Sequence, residues 1–152
     1  MKLTDILDRD CIRVPLVATE KLGAITELVD LLQEQGKLGD RDLVLHAVVQ
    51  RERTRSTGIG NGLAVPHGKC AGCPKLVMAL GCARPGIDFQ SKDGQPATVI
   101  ALLASPVDQT GPHIQALARI SRLMLMDDFR TAIAEAGSAD ELFDIVSRHE
   151  SR

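Results

Sequence analysis

The sequence predicts a three-layer α/β domain built on a mixed sheet, and three observations predict it. Segments with helical spacing lie towards both ends of the chain and bracket a group of strand-like runs. The strongest of these runs, Ala97–Ala104, is almost continuously apolar, as expected of a strand covered on both faces. No internal repeat, low-complexity stretch or linker divides the 152 residues, which suit one domain spanning 1–152. A domain of this size buries roughly 68–70% of its unfolded surface, enough for a core without covalent staples.

Taken in order, Leu3–Leu7 reads as one or two helical turns with Thr4 as N-cap. Ile12–Val17 is rich in β-branched residues, and Pro15 confines it to a sheet edge or a strand end. Thr19 is expected to cap a helix whose apolar positions are Leu22, Ile25, Leu28, Val29 and Leu32, with Gly36 as its stop. Asp40 caps the next helix, with Leu43, Val44, Ala47 and Val48 on its apolar face. That helix ends in Arg51, Arg53 and Arg55, which fit a solvated helix end whose cations suit the C-terminal dipole. Leu63–Val65 is a short strand candidate, and Lys69–Pro74 a loop. Leu76–Ala83 is expected to be a buried strand, ended by the turn signal Arg84-Pro85-Gly86. Past the central run, Pro112 fits the first turn of a helix that places Ile114, Leu117, Ala118, Ile120, Leu123, Met124 and Leu125 largely inward. A short helix follows from Asp127 to Ile133. Ser138 and Glu141 then form a capping box for the last helix, with Leu142, Phe143, Ile145 and Val146 inward.

Composition narrows the function. The formal net charge is −2, against the basic footprint of a nucleic-acid binder. There is no Trp and no Tyr, so stacking platforms for bases or sugars are nearly absent. The first ten residues carry acids where a secretory leader needs an apolar run, and no apolar run approaches a membrane span. Four cysteines are too few and too unevenly spaced for a disulfide scaffold, so a soluble cytoplasmic protein is expected.

The chemistry concentrates in Ser56-Thr57-Gly58-Ile59-Gly60-Asn61-Gly62-Leu63-Ala64-Val65-Pro66-His67-Gly68-Lys69. Two nucleotide motifs fail on it. A dinucleotide loop needs a helix where this stretch turns strand-like and is broken by Pro66. The phosphate loop of nucleotide hydrolases needs Gly where Leu63 stands and Ser or Thr where Cys70 stands. What remains is an anion nest of glycine-rich backbone beside a histidine. A neutral imidazole is a competent nucleophile near neutral pH and can carry a phosphoryl group covalently. Such a site needs donors for the phosphoryl oxygens; Arg51 or its neighbours before the loop and His113 at a helix start can supply them. Taken singly, His67 also fits a turn histidine bonded to its own loop, and His113 a solvent-facing helix start. His46 and His149 fit structural roles only.

The stretch Arg51-Glu52-x₃-Ser56 through Lys69 resembles the signature of the type 2 IIA domains of the bacterial phosphoenolpyruvate-dependent phosphotransferase system, the fructose, mannitol and nitrogen-regulatory family. Leu102-Leu103-x₂-Pro106-x-Asp108-Gln109-Thr110-x₂-His113 is similar to the family's second histidine region, and the layout agrees from about residue 3 to residue 148. The resemblance implies the mannitol-type IIA fold, a mixed five-stranded sheet flanked by helices. It implies that His67 accepts a phosphoryl group on Nε2 from an HPr-like phosphocarrier, that His113 hydrogen-bonds that group, and that Arg51, which spacing alone does not separate from Arg53 or Arg55, is the family arginine. Ser56, Gly60, Asn61 and Gly62 are then expected in the phosphoryl-binding loop, with no cofactor and no metal. The chain length, the Ser-Thr-Gly-Ile-Gly-Asn-Gly run and Pro-x-Asp-Gln-Thr are most similar to the nitrogen-regulatory branch, which signals to a regulatory protein target. The alternative is a sugar-specific component passing phosphate to a IIB domain. Cys70-Ala71-Gly72-Cys73 departs from the pattern. As a redox pair it should open a helix, and as half of a zinc site with His67 or Cys82 it lacks four clear ligands, so two reduced loop thiols are expected.

Overall fold

Alternation along the central run decides how the layers stack. In this computed structural model, which describes residues 1–151, the strands are β1 (Ile12–Arg13), β2 (Gly58–Gly60), β3 (Leu63–Ala64), β4 (His67–Lys69), β5 (Val77–Ile87) and β6 (Ala97–Ser105). The helices are α1 (Lys21–Glu34), α2 (Arg41–Thr54), α3 (Thr110–Leu123), α4 (Asp127–Glu135) and α5 (Ala139–Glu150), with short 3-10 turns at Leu3–Asp5 and Arg9–Cys11. Successive strand side chains point to opposite faces. Val99, Ala101 and Leu103 of β6 therefore meet α3, α4 and α5 through Ile120, Phe129 and Leu142. Ile100, Leu102 and Ala104 meet α1 and α2 through Leu28 and Val48. Both faces are dry, which is why this strand carries almost no polar residue.

The sheet runs β1-β5-β6-β3-β2, with β4 also paired to β6. β5 is antiparallel to β6 and β2 to β3, while β1 is parallel to β5 and β3 and β4 are parallel to β6, so the sheet is mixed. β3 pairs with Val99 and Ile100, and β4 with Leu103 to Ser105. They are one strand position interrupted at Val65-Pro66, where proline has no N–H to give the ladder. Six strands thus fill five positions.

Five local expectations are corrected. Lys2, not Thr4, stands at the N-cap of the first turn, and its backbone N–H donates to the Asp5 carboxylate. α1 starts at Lys21 because the Glu20 carboxylate, not Thr19, accepts the N–H groups of Leu22 and Gly23. β5 does not end at Arg84-Pro85-Gly86. It runs to Ile87 through a shift of register between Cys82 and Ile87, where a proline costs no ladder bond. On the third helix, Ile114 and Ala118 are exposed, Leu125 lies exposed past the helix end, and the buried stripe is His113, Ala116, Ile120 and Leu123. The exposed Leu22 and Leu43 likewise leave the cores of α1 and α2 to Ile25, Leu28, Val44 and Val48. Among the described residues no helix is long and apolar enough to cross a membrane.

Candidate phosphoryl site

The break between β3 and β4 sets His67. It opens β4 opposite Leu103, and the Pro66 carbonyl accepts the Leu103 N–H at 3.0 Å. The ring folds back so that Nδ1 lies 2.8 Å from the Val65 carbonyl oxygen. A carbonyl only accepts, so Nδ1 carries the proton and Nε2 keeps its lone pair. Gly68 follows because α2 crosses closely here: a Cβ would stand 2.9 Å from the Val48 backbone nitrogen. This close crossing brings the C-terminal turn of α2 to the histidine.

His113, in the first turn of α3, is buried, and its ring meets that of His67 edge-on with centroids 5.2 Å apart. Its Nδ1 lies 2.9 Å from Ser105 Oγ at the end of β6, while its buried Nε2 has no hydrogen-bond partner. If the serine hydroxyl donates to Nδ1, Nε2–H is a spare donor. Burial lowers the His67 pKa below the ordinary imidazole value, with Arg51 and Lys69 adding to the effect and the Val65 hydrogen bond opposing it. Burial, followed by His67 and Lys69, lowers that of His113 to about 4. Both shifts disfavour the charged form of the ring.

His67 lines a cavity of about 330 Å³ with Arg51, Arg55, Ser56, Thr57, Lys92 and, from α3, Leu117 and Ser121 among others. The charged side chains of this lining are all cations. Arg51 is held by donating to the Arg55 carbonyl at 2.8 Å, whereas Arg53 is exposed and outside the lining. The structure therefore separates Arg51 from Arg53, and it adds Arg55.

Of the four loop residues expected to bind the phosphoryl group, only Ser56 reaches this cavity, and its hydroxyl already donates to the Phe89 carbonyl and accepts the Gly58 N–H. Gly60, Asn61 and Gly62 stand apart from the lining. The Asn61 N–H donates to Asp93 at 3.2 Å, its side chain borders a separate cavity with Cys82 and Arg84, and the Gly62 carbonyl accepts from Thr98 and Val99. The turn, with positive φ at Gly60, Asn61 and Gly62, already holds an internal carboxylate. It shapes the approach to β3 and does not border the histidine.

Sequence reasoning missed Glu52, Ser105 and Lys92. Glu52 alone left a signal: it continues the buried stripe Val44–Val48 at four-residue spacing, so its carboxylate is buried and needs partners. The cysteine loop is chemically quiet. Cys73 donates its thiol proton to the Lys75 carbonyl, burial pushes its pKa up to about 11, and all four cysteines are free. Among the described residues no three His, Cys, Asp or Glu side chains assemble as a metal site.

Comparison with known proteins places the chain in a family. Residues 5–149 match the family described as "Phosphoenolpyruvate-dependent sugar phosphotransferase system, EIIA 2". A fructose-specific EIIABC component of Bacillus subtilis is 37% identical over 99% of this chain, which spans 24% of that protein's length. A nitrogen regulatory protein of Bradyrhizobium diazoefficiens is 33% identical over 97% of this chain and 95% of its own. The crystal structure of nitrogen regulatory protein IIA-Ntr from Neisseria meningitidis superposes with a TM-score of 0.86 at 28% identity, covering 95% of this chain and 98% of that one. The chain belongs to the type 2 EIIA family of the phosphoenolpyruvate-dependent phosphotransferase system.

Proposed function

We propose that His67 accepts a phosphoryl group from the phosphohistidine of an HPr-like carrier and hands it on as a signal. One observation carries the reading: the Val65 carbonyl holds the Nδ1 proton of His67, so Nε2 is the free nucleophile on the wall of a cationic cavity. In the step, the Nε2 lone pair forms the bond to phosphorus while the P–N bond of the carrier breaks and its electron pair returns to the carrier's imidazole. The His67 ring keeps its Nδ1 proton and gains positive charge, which the Val65 carbonyl stabilises. Arg51 and the His113 Nε2–H offset the charge of the transferring oxygens. Atoms and charge balance without a co-reactant.

The downstream partner is read as a regulatory protein in the cytoplasm. Relatives named nitrogen regulatory protein that match nearly their whole length, and the IIA-Ntr structure, support this. A second reading, transfer to a IIB domain for sugar uptake, is supported by the 37% identity to the fructose-specific component. Incubation with phosphorylated carriers of the sugar and the nitrogen type tests both. The expected product is an acid-labile, base-stable adduct that forms faster with the nitrogen-type carrier. Faster labelling by the sugar-type carrier favours the second reading, and no adduct, or an acid-stable one, overturns both.

A further inference from the structure

Glu52 is a buried carboxylate that the transfer step does not use. Its side chain is 2% exposed, on the stripe of α2 that faces the sheet. Oε2 accepts from the Thr57 N–H at 2.9 Å and from Lys21 Nζ at 3.1 Å, and Oε1 accepts the Thr57 hydroxyl at 2.5 Å. The connections continue beyond Thr57. Its carbonyl accepts the Val65 N–H at 3.1 Å, and the Val65 carbonyl accepts the His67 Nδ1–H at 2.8 Å. The carboxylate, Thr57, Val65 and the imidazole are thus linked in series by hydrogen bonds.

We propose that Glu52 is the positioning residue for His67, fixing the imidazole tautomer through Thr57 and Val65. The physical reason is positional. The buried carboxylate holds Thr57 by its N–H and its hydroxyl, and the Thr57 carbonyl in turn holds the Val65 N–H, which sets where the Val65 carbonyl meets the ring. In metal sites a carboxylate that orients a histidine binds the ring directly. Here it acts through two intervening residues, leaving the space around Nε2 to the anion. Lys21, at the start of α1, offsets the buried charge and ties the network to that helix.

The inference rests on His67 as the phosphoryl acceptor, but its test has a readout free of that reading. Glu52→Gln keeps the shape and two acceptor lone pairs while removing the charge and one acceptor oxygen. Long-range ¹⁵N–¹H spectra of histidine-labelled protein separate the Nδ1–H from the Nε2–H form of His67. In Glu52→Gln the Nε2–H form is expected to rise. Transfer from saturating phosphorylated HPr-type carrier is expected to slow roughly tenfold or more, with the half-saturating carrier concentration unchanged. Thr57→Val, which removes one bond and keeps the peptide, is expected to shift both in the same direction by less, and it carries the test if Glu52→Gln does not fold. A folded variant of either kind with a wild-type His67 spectrum overturns the proposal, whatever its rate. If the wild-type chain takes no phosphoryl group, the acceptor reading falls while the tautomer shift still decides this one.

Discussion

His67 and His149 use the same local device in different surroundings. Each donates its Nδ1–H to a nearby backbone carbonyl at 2.8 Å, Val65 for one and Ile145 for the other. Each ring meets a second ring edge-on, at 5.2 Å for His113 and 5.1 Å for Phe129. The carbonyl sets the same tautomer in both. What differs is where Nε2 ends up. That of His149 is buried without a hydrogen-bond partner, 3.6 Å from an Asp128 carboxylate oxygen. The cavity beside it, about 230 Å³, mixes Arg119 and Arg122 with Glu150, whose carboxylate already accepts the Leu3 and Thr4 N–H groups. In the cavity that His67 lines, the charged side chains are all cations. A fixed tautomer makes a nucleophile available, and the surrounding charge decides whether an anion can reach it.

The largest effect breaks the comparison outright. His67→Ala is expected to lose the acid-labile adduct to background, while His149→Ala keeps labelling within about twofold once the variant is shown to be folded. Label on His149 would mean that carbonyl fixation alone suffices. A smaller effect sharpens the role of charge. Arg51→Ala is expected to slow single-turnover labelling by about a hundredfold, the scale for losing one donor to a developing oxyanion, and Arg53→Ala by less than about twofold. Equal losses would mean that overall positive charge matters and the Arg51 position does not.

The smallest effect concerns burial. His113 is held at about 4 in the folded chain against roughly 6.5 in an unfolded one. Between those values the unfolded chain binds a proton that the folded one refuses, so stability falls as pH drops from about 6.5 to about 4. His67, shifted in the same direction, adds to the fall. Each contributes at most about 1.4 kcal/mol per pH unit within its own window. Urea unfolding at a series of pH values should give a shallower slope for His113→Gln than for the wild type, and an unchanged slope would remove His113 as a source of acid sensitivity.

Much of this site was legible because its signals are local. The Pro66-His67 pair inside a glycine-rich run, and His113 just past a Pro at a helix start, point to their chemistry from neighbours in the chain. The misreadings have a common cause as well. Glycines that permit an anion nest do not say whose anion fills it, and here Asp93, far along the chain, occupies the turn. Arg84-Pro85-Gly86 reads as a turn, but the residues between Cys82 and Ile87 bulge opposite Thr98 and the pairing with β6 resumes at Ile87, which three residues alone do not reveal. Arg51, Arg53 and Arg55 look alike until the packing puts Arg51 and Arg55 on the cavity wall and leaves Arg53 off it.

The sequence by itself determined the layers, the buried central strand and the two histidines, because side-chain periodicity and backbone constraint act over a few residues. Only the tertiary structure decided the working geometry. β4 must lie beside β6 to place His67 near Ser105, and α3 must return over that edge to set His113 against it. The line from Glu52 to His67 likewise exists only when α2, β2 and the strand break are packed together. These contacts join residues whose separation along the chain carries no information about their meeting, because it is burial of both sheet faces that brings them together.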